Sequence, residues 1–181
     1  MYEIKTQLIG DLPKNPYRKG AGQYEGVVAH ATAVWEDSDE NQLKYFIKNW
    51  KTRQAFAHYF VDYDSITNCA DIRYKAWAAG TTANQRFVHI ELCQTKDPSK
   101  FEISWKQYTW LLAKTLFDKK LGVKDGVTIV SHKFCSDTWK DTTHQDPIEY
   151  LAFHGKKWED LVYSVSWWYK QMEEGKTKWK K

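Results

Sequence analysis

The chain has 181 residues, 42% hydrophobic and 16% aromatic, with a net charge of +4 at neutral pH, which fits one domain with a core able to fold unaided. Its three cysteines, Cys69, Cys93 and Cys135, are too few and too odd in number for a disulfide framework. No apolar run approaches the roughly 20 residues of a membrane span, and the opening MYEIKTQLIG lacks a secretory leader's basic and apolar stretches, so the expectation is a chain made in the cytoplasm without a signal peptide.

Residues 11–22 carry two Pro and two Gly and read as turns. They lead into Tyr24–His30 (YEGVVAH), an apolar run that predicts a buried strand ending at a histidine. Ser38 opens a helix in which Leu43, Phe46, Ile47 and Trp50 form one apolar stripe. Residues 55–62 (AFAHYFVD) and Ile66–Ile72 predict a hairpin about the turn DYDS. Arg86–Cys93 (RFVHIELC) predicts a strand with Val88, Ile90 and Leu92 on one face and His89, Glu91 and Cys93 on the other.

A helix is expected from Ser104 to Leu121, with Ser104 and Gln107 as a capping box and Gly122 as its stop. Val127–Ser131 predicts a strand that again runs into a histidine, His132. Asp146-Pro147-Ile148-Glu149 has the pattern of an N-cap, a Pro at the first helical position and an acid at N3, giving a short helix to His154-Gly155. A last helix over 156–172 presents Trp158, Leu161, Val165, Trp168 and Met172 on one face. Strands and helices mix throughout, so the fold class is α/β, a single domain with a central mixed β-sheet flanked by helices. Residues 1–155 form the expected body of that domain. Residues 156–181 form a C-terminal helix and Lys-rich tail, with five Lys against two Glu from Lys170 onward. Such an end suits an anionic partner and equally suits simple solubility. The ten Trp and eleven Tyr exceed what the core needs, so some should line a groove where rings stack on sugar or peptide.

Among six histidines, His30 and His132 each close an apolar strand, and the loop Thr142-Thr143-His144-Gln145-Asp146-Pro147 supplies a carboxylate. Two imidazoles and one carboxylate with an open fourth position are a catalytic rather than a structural zinc pattern. Spacing alone still favours ordinary polar histidines. Asp146 equally suits a helix cap, and Cys135 is a rival third ligand, although a small buried hydrophobe is the simpler reading.

The string VVAHATA around His30, followed by AHYFVD, AW-AG, N-R-VHIEL and VSH…THQDP, resembles the zinc-dependent N-acetylmuramoyl-L-alanine amidases, whose fold is shared with peptidoglycan recognition proteins and many phage endolysins. The resemblance covers residues 24–153 with the motifs in the family's order. It implies a substrate groove over the sheet and one zinc ion held by His30, His132 and Asp146. Glu91 matches the glutamate that activates water, and His144 stands where many members carry a Lys that steadies the oxyanion. Trp77, Asn84 and Arg86 fall in the stretch near the groove and are expected substrate contacts. His58 matches a position beside it, with a hydrogen-bonded core histidine as the competing reading. His89 could orient Glu91. Trp77-Ala78-Ala79-Gly80 departs from the Trp-His-Ala-Gly of many relatives, which bears on substrate contacts and not on the metal.

The implied activity is hydrolysis of the amide between N-acetylmuramic acid and L-alanine in bacterial peptidoglycan, by a monomer of phage-endolysin or prophage-autolysin type with anionic wall polymers as further partners. The alternative is a non-catalytic peptidoglycan-binding module of the same fold. Such modules usually lack one of the metal ligands, and all three matching residues are present here. No nucleic-acid-binding motif is visible, and that class would predict zinc-independent, steeply salt-sensitive binding.

Overall fold

The computed structural model describes residues 2–176. A six-stranded mixed sheet forms its centre, in the order β1 (Lys5–Thr6), β4 (Ile66–Asn68), β3 (Tyr59–Val61), β5 (Phe87–Gln94), β2 (Gly26–Trp35) and β6 (Ile129–Ser131). Only β3 and β4 pair antiparallel, as the hairpin about DYDS requires. The middle of the sheet is parallel, with β5 between β3 and β2 and β6 beyond β2. Gly26 begins β2 because a Cβ there would collide with the backbone carbonyl of Thr128, the residue just before β6.

Alternation along the strands sorts the two faces. Val27, Ala29 and Ala31 of β2 and Val88, Ile90 and Leu92 of β5 face α3 (Pro98–Phe117) in the main core. α3 is buried nearly all round, with Tyr108, Leu111, Leu112 and Leu116 enclosed, because α6 (Trp158–Glu173) covers its outer side with Leu161 and Val165. Each such enclosed Leu contributes about 1.5–3 kcal/mol by removal from water. On the opposite face Leu43 and Trp50 of α1 (Asp39–Arg53) pack with Phe56 and Phe60. Another cluster joins Val28, Phe87 and Val130 to Ala83 of α2 (Gly80–Asn84) and Cys135 of α4 (His132–Trp139). That face also carries His30, His89 and Glu91.

Several element boundaries differ from the sequence reading. β2 runs on to Trp35, so His30 lies within the strand and does not end it. The apolar stripe of α1 is narrower than expected, since Ile47 is exposed. α3 starts at Pro98 with Asp97 as its cap, accepting from the backbone N–H groups of Ser99 and Lys100. Ser104 therefore sits inside the helix and donates back to the Lys100 carbonyl, as hydroxyls in helix interiors do. The Gln107 amide reaches away instead, to the Asp62 and Tyr63 carbonyls of the hairpin turn. α5 (Ile148–Phe153) has no side-chain cap, so the helix is present but Asp146 does not cap it. His154 ends α5 stacked on Phe101 and paired with the Thr95 carbonyl. Trp35, Tyr63, Tyr163 and Trp167 supply exposed rings. No helix among the described residues is long and apolar enough to cross a membrane, and the end of the Lys-rich tail lies outside them.

Candidate active site

Two elements and one loop bring the donors together. β2 and β5 pair in register so that His30 lies directly opposite Glu91. Ser131 caps α4 by accepting from the Phe134 N–H at 2.9 Å, which sets His132 as the first residue of that helix. The chain then leaves α4 through residues 140–147 and returns. The loop is fastened to α4 by the Lys133 N–H on the Asp146 carbonyl at 3.0 Å and the Ser136 hydroxyl on the His144 carbonyl at 2.6 Å. Asp141 ties its start to α2 by accepting from the Thr82 N–H at 2.7 Å. Gly80, at φ +80°, is needed there because a Cβ would strike the Asp141 carboxylate.

The result places the Asp146 carboxylate between two imidazoles. Its Oδ2 lies 3.2 Å from His30 Nδ1 and accepts from the Ala31 N–H at 3.2 Å, while its Oδ1 lies 3.0 Å from His132 Nδ1. One donor atom from each of His30, His132 and Asp146 falls within 4.8 Å of the others. Four-coordinate zinc with bonds of about 2.0–2.2 Å needs neighbouring donors roughly 3.3–3.5 Å apart, so the cluster is close to the size of such a site. The protonation states also suit a cation. Burial lowers the pKa of His30 to about 4 against the pull of Asp146, which keeps the imidazole neutral. Burial acts to raise Asp146, but the hydrogen bonds and charges of His132 and His30 outweigh it and hold the carboxyl well below the usual range. Neutral imidazole and ionised carboxylate are the forms that bind metal.

Glu91 Oε1 lies 3.9 Å from His30 Nδ1, and its Oε2 is buried without a hydrogen-bond partner. Burial, and then the Asp146 charge, push its pKa well above the ordinary carboxylate value, the direction needed of a group that takes and returns a proton. His144 lies at the rim, mostly exposed, with its ring stacked parallel on His132 at 4.9 Å and its Nδ1 3.9 Å from Asp146. Cys135 lies in the apolar cluster beneath α4, where burial pushes its thiol up to about 12. It is no member of the donor group.

The expected substrate contacts fare differently. His58 is completely buried, which is incompatible with substrate contact. Its Nδ1 accepts from the His89 N–H at 3.0 Å and its Nε2 meets the Tyr74 carbonyl at 2.9 Å. The core reading of that residue therefore replaces the groove reading. Trp77 packs on Phe56 and Trp50. Asn84 holds its own loop, accepting from the N–H groups of Ala78 and Ala79. Arg86 pairs with Glu25 at 2.6 Å and lies over the rings of Phe87 and Trp139. All three are half-buried and also make these contacts within the fold.

Other contributors had little or no signal in the sequence. Thr142 Oγ1 meets His132 Nε2 at 2.9 Å. Tyr108 reaches from α3 to donate to the His30 carbonyl at 2.9 Å, although its helical spacing marks it only as core. His89 contacts His30 and not Glu91: its Nδ1 lies 3.0 Å from His30 Nε2.

Comparison with known proteins agrees with this geometry. Residues 20–149 match the family described as N-acetylmuramoyl-L-alanine amidase. Over 176 residues the chain is 32% identical to Protein Ami of Listeria monocytogenes, which covers 94% of this chain and 19% of that protein. It is 33% identical over 168 residues to the bifunctional autolysin of Staphylococcus epidermidis, covering 88% of this chain and 12% of the relative. The chain thus spans about a fifth or less of the curated relatives it matches. The crystal structure of the Staphylococcus aureus hydrolase AmiA in complex with its ligand superposes with a TM-score of 0.90 at 30% identity, over 98% of this chain and 88% of that one. By sequence match and by fold, the chain belongs to the N-acetylmuramoyl-L-alanine amidase family.

Proposed function

We propose that this chain is a zinc-dependent hydrolase that cuts peptidoglycan at the amide between N-acetylmuramic acid and L-alanine. The observation that carries the reading is the meeting of His30 Nδ1, His132 Nδ1 and the Asp146 carboxylate beside an unpaired, buried oxygen of Glu91. The family membership supports the same reaction, and the name of one relative, a bifunctional autolysin, supports an autolysin-like role. His30, His132 and Asp146 would hold the ion. When bound, zinc polarises a carbonyl and lowers the pKa of water toward about 7.

The protein's own part follows from placement. Glu91, enclosed and facing the centre, takes the proton of the attacking water on its carboxylate and returns it to the leaving L-alanine nitrogen. His144, exposed at the rim, offers a ring N–H to the oxygen on which negative charge develops. Asp146, anchored by the Ala31 N–H, keeps the two imidazoles at fixed separation. The mild positive charge of the chain supports attraction to anionic wall polymers.

The test is digestion of purified peptidoglycan followed by mass spectrometry, with zinc content measured on the same preparation. Expected are new free L-alanine amines, no new reducing sugar ends and about one zinc per chain, with both zinc and turnover lost in His132→Ala. New reducing ends, or wall binding without turnover in the native protein, would overturn the reading.

A further inference from the structure

The two imidazoles of the donor group share an arrangement. Each turns Nδ1 toward Asp146 and gives its Nε2 to another side chain: Thr142 Oγ1 for His132 at 2.9 Å, and His89 Nδ1 for His30 at 3.0 Å. Threonine at a loop can donate or accept, so it suits either tautomer of its partner. A histidine nitrogen can do so only by a change of tautomer of the whole ring. Whether His89 Nδ1 carries a hydrogen or a lone pair decides where the His30 hydrogen must sit.

If a cation is to be bound through His30 Nδ1, that atom must present a lone pair, so the His30 hydrogen belongs on Nε2. His89 Nδ1 must then accept it, and the His89 hydrogen moves to Nε2. His89 Nε2 is buried and has no partner, so nothing opposite it dictates the alternative tautomer. The backbone of His89 is fixed independently. Its N–H donates to His58 Nδ1, and His58 in turn donates from Nε2 to the Tyr74 carbonyl at 2.9 Å. The rings of His58 and His89 lie parallel, 2° apart in plane. The strand position and ring plane of His89 are thus held from behind while its Nδ1 points at His30.

We propose that His89 is a positioning residue for the metal centre, accepting the His30 Nε2–H and thereby aiming the His30 Nδ1 lone pair at the ion. This rests on the reading of His30, His132 and Asp146 as the ligands. It assigns His89 a function separate from orienting Glu91. Partners of this kind fix the ligand's tautomer and ring direction, and removing one typically costs 10–100-fold in metal affinity.

The experiment measures zinc affinity by competition with a chromophoric chelator for the native protein, His89→Leu, His89→Asn and His132→Ala, with thermal unfolding of each metal-free protein as a check on folding. His89→Leu should bind zinc about 10–100-fold more weakly. His89→Asn, whose Oδ1 can accept near the place of Nδ1, should recover most of that loss. Equal affinity in the native protein and a folded His89→Leu would overturn the positioning role and leave the centre intact. Failure of the native protein to bind zinc, or full binding by His132→Ala, would overturn the centre and the positioning role with it. A reading independent of folding is nitrogen NMR of the zinc-loaded native protein. Hydrogens on Nε2 of both His30 and His89 would support the assignment, and a hydrogen on His89 Nδ1 would overturn it.

Discussion

At the scale of single residues, enclosed histidines give the molecule a built-in sensitivity to acid. His58 is driven by burial to a pKa of about 4, only partly offset by its Tyr74 bond, whereas in the unfolded chain it titrates near 6.5. The unfolded state therefore binds the proton first as pH falls, so stability is full above about 6.5 and is lost progressively toward about 4, by up to roughly 3 kcal/mol for this group. His89 is shifted in the same direction by burial. Urea unfolding of the metal-free protein between pH 4.5 and 7.5 should show a midpoint that drops as pH drops, and a flat profile would contradict the neutral assignment. Asp146 contributes outside this window, because a depressed carboxylate loses its contribution only below its unfolded value of 3.8. Glu91→Gln preserves shape while removing the base, so kcat should fall by about 10²–10⁴ with zinc content unchanged. A loss of zinc in that variant would instead make Glu91 part of the ligand set.

Two Asp-Pro pairs show at the scale of elements what local sequence can and cannot reveal. Asp97-Pro98 and Asp146-Pro147 carry the same helix-start signature, yet only Asp97 uses its carboxylate as a cap. Asp146 is taken by His30, 116 positions away in sequence, a partner invisible to any local window. Asp97→Ala should therefore cost about 1 kcal/mol of stability and lower the melting temperature by roughly 2–4 °C without changing zinc affinity. Asp146→Ala should do the reverse, abolishing tight zinc binding by removing the carboxylate donor itself while leaving α5 in place. Calorimetry beside a chelator titration separates the two. The same contrast explains the misplaced start of α3: Ser104 and Gln107 have capping-box spacing, but the Asp97 cap with Pro98 behind it starts the helix upstream of them. Strand faces were legible because alternation depends only on the chain's own geometry. The faces of Val88, Ile90 and Leu92 lie on the core as their spacing requires.

Across the whole molecule, the proposed centre draws on positions 30, 91, 132 and 146, so the order of motifs along the chain could indicate it while spacing alone could not. Contacts that depend on how strands align, such as His30 with His89 or Tyr108 with the His30 carbonyl, left no mark in the sequence because any enclosed polar residue would read the same. The strand half of the site lies in the core of the sheet, where opening requires disruption of the main core. The other half rides on residues 140–146, held by a few bonds to α2 and α4, and such segments open locally at much lower free energy. Hydrogen exchange should therefore rise in residues 140–146 when zinc is stripped by a chelator, while β2 and β5 keep their protection. Uniform deprotection would show instead that the ion supports the entire fold.

The Asp141 tether to the start of α2 gives this division a practical consequence. With the loop fastened at Asp141 and again at Thr142, His144 and Asp146, the proposed centre acts as a clasp hinged on the protein itself. An ion bound there could be lost and regained without Asp146, the proposed third ligand, drifting away, so repeated exposure to chelators should be survivable.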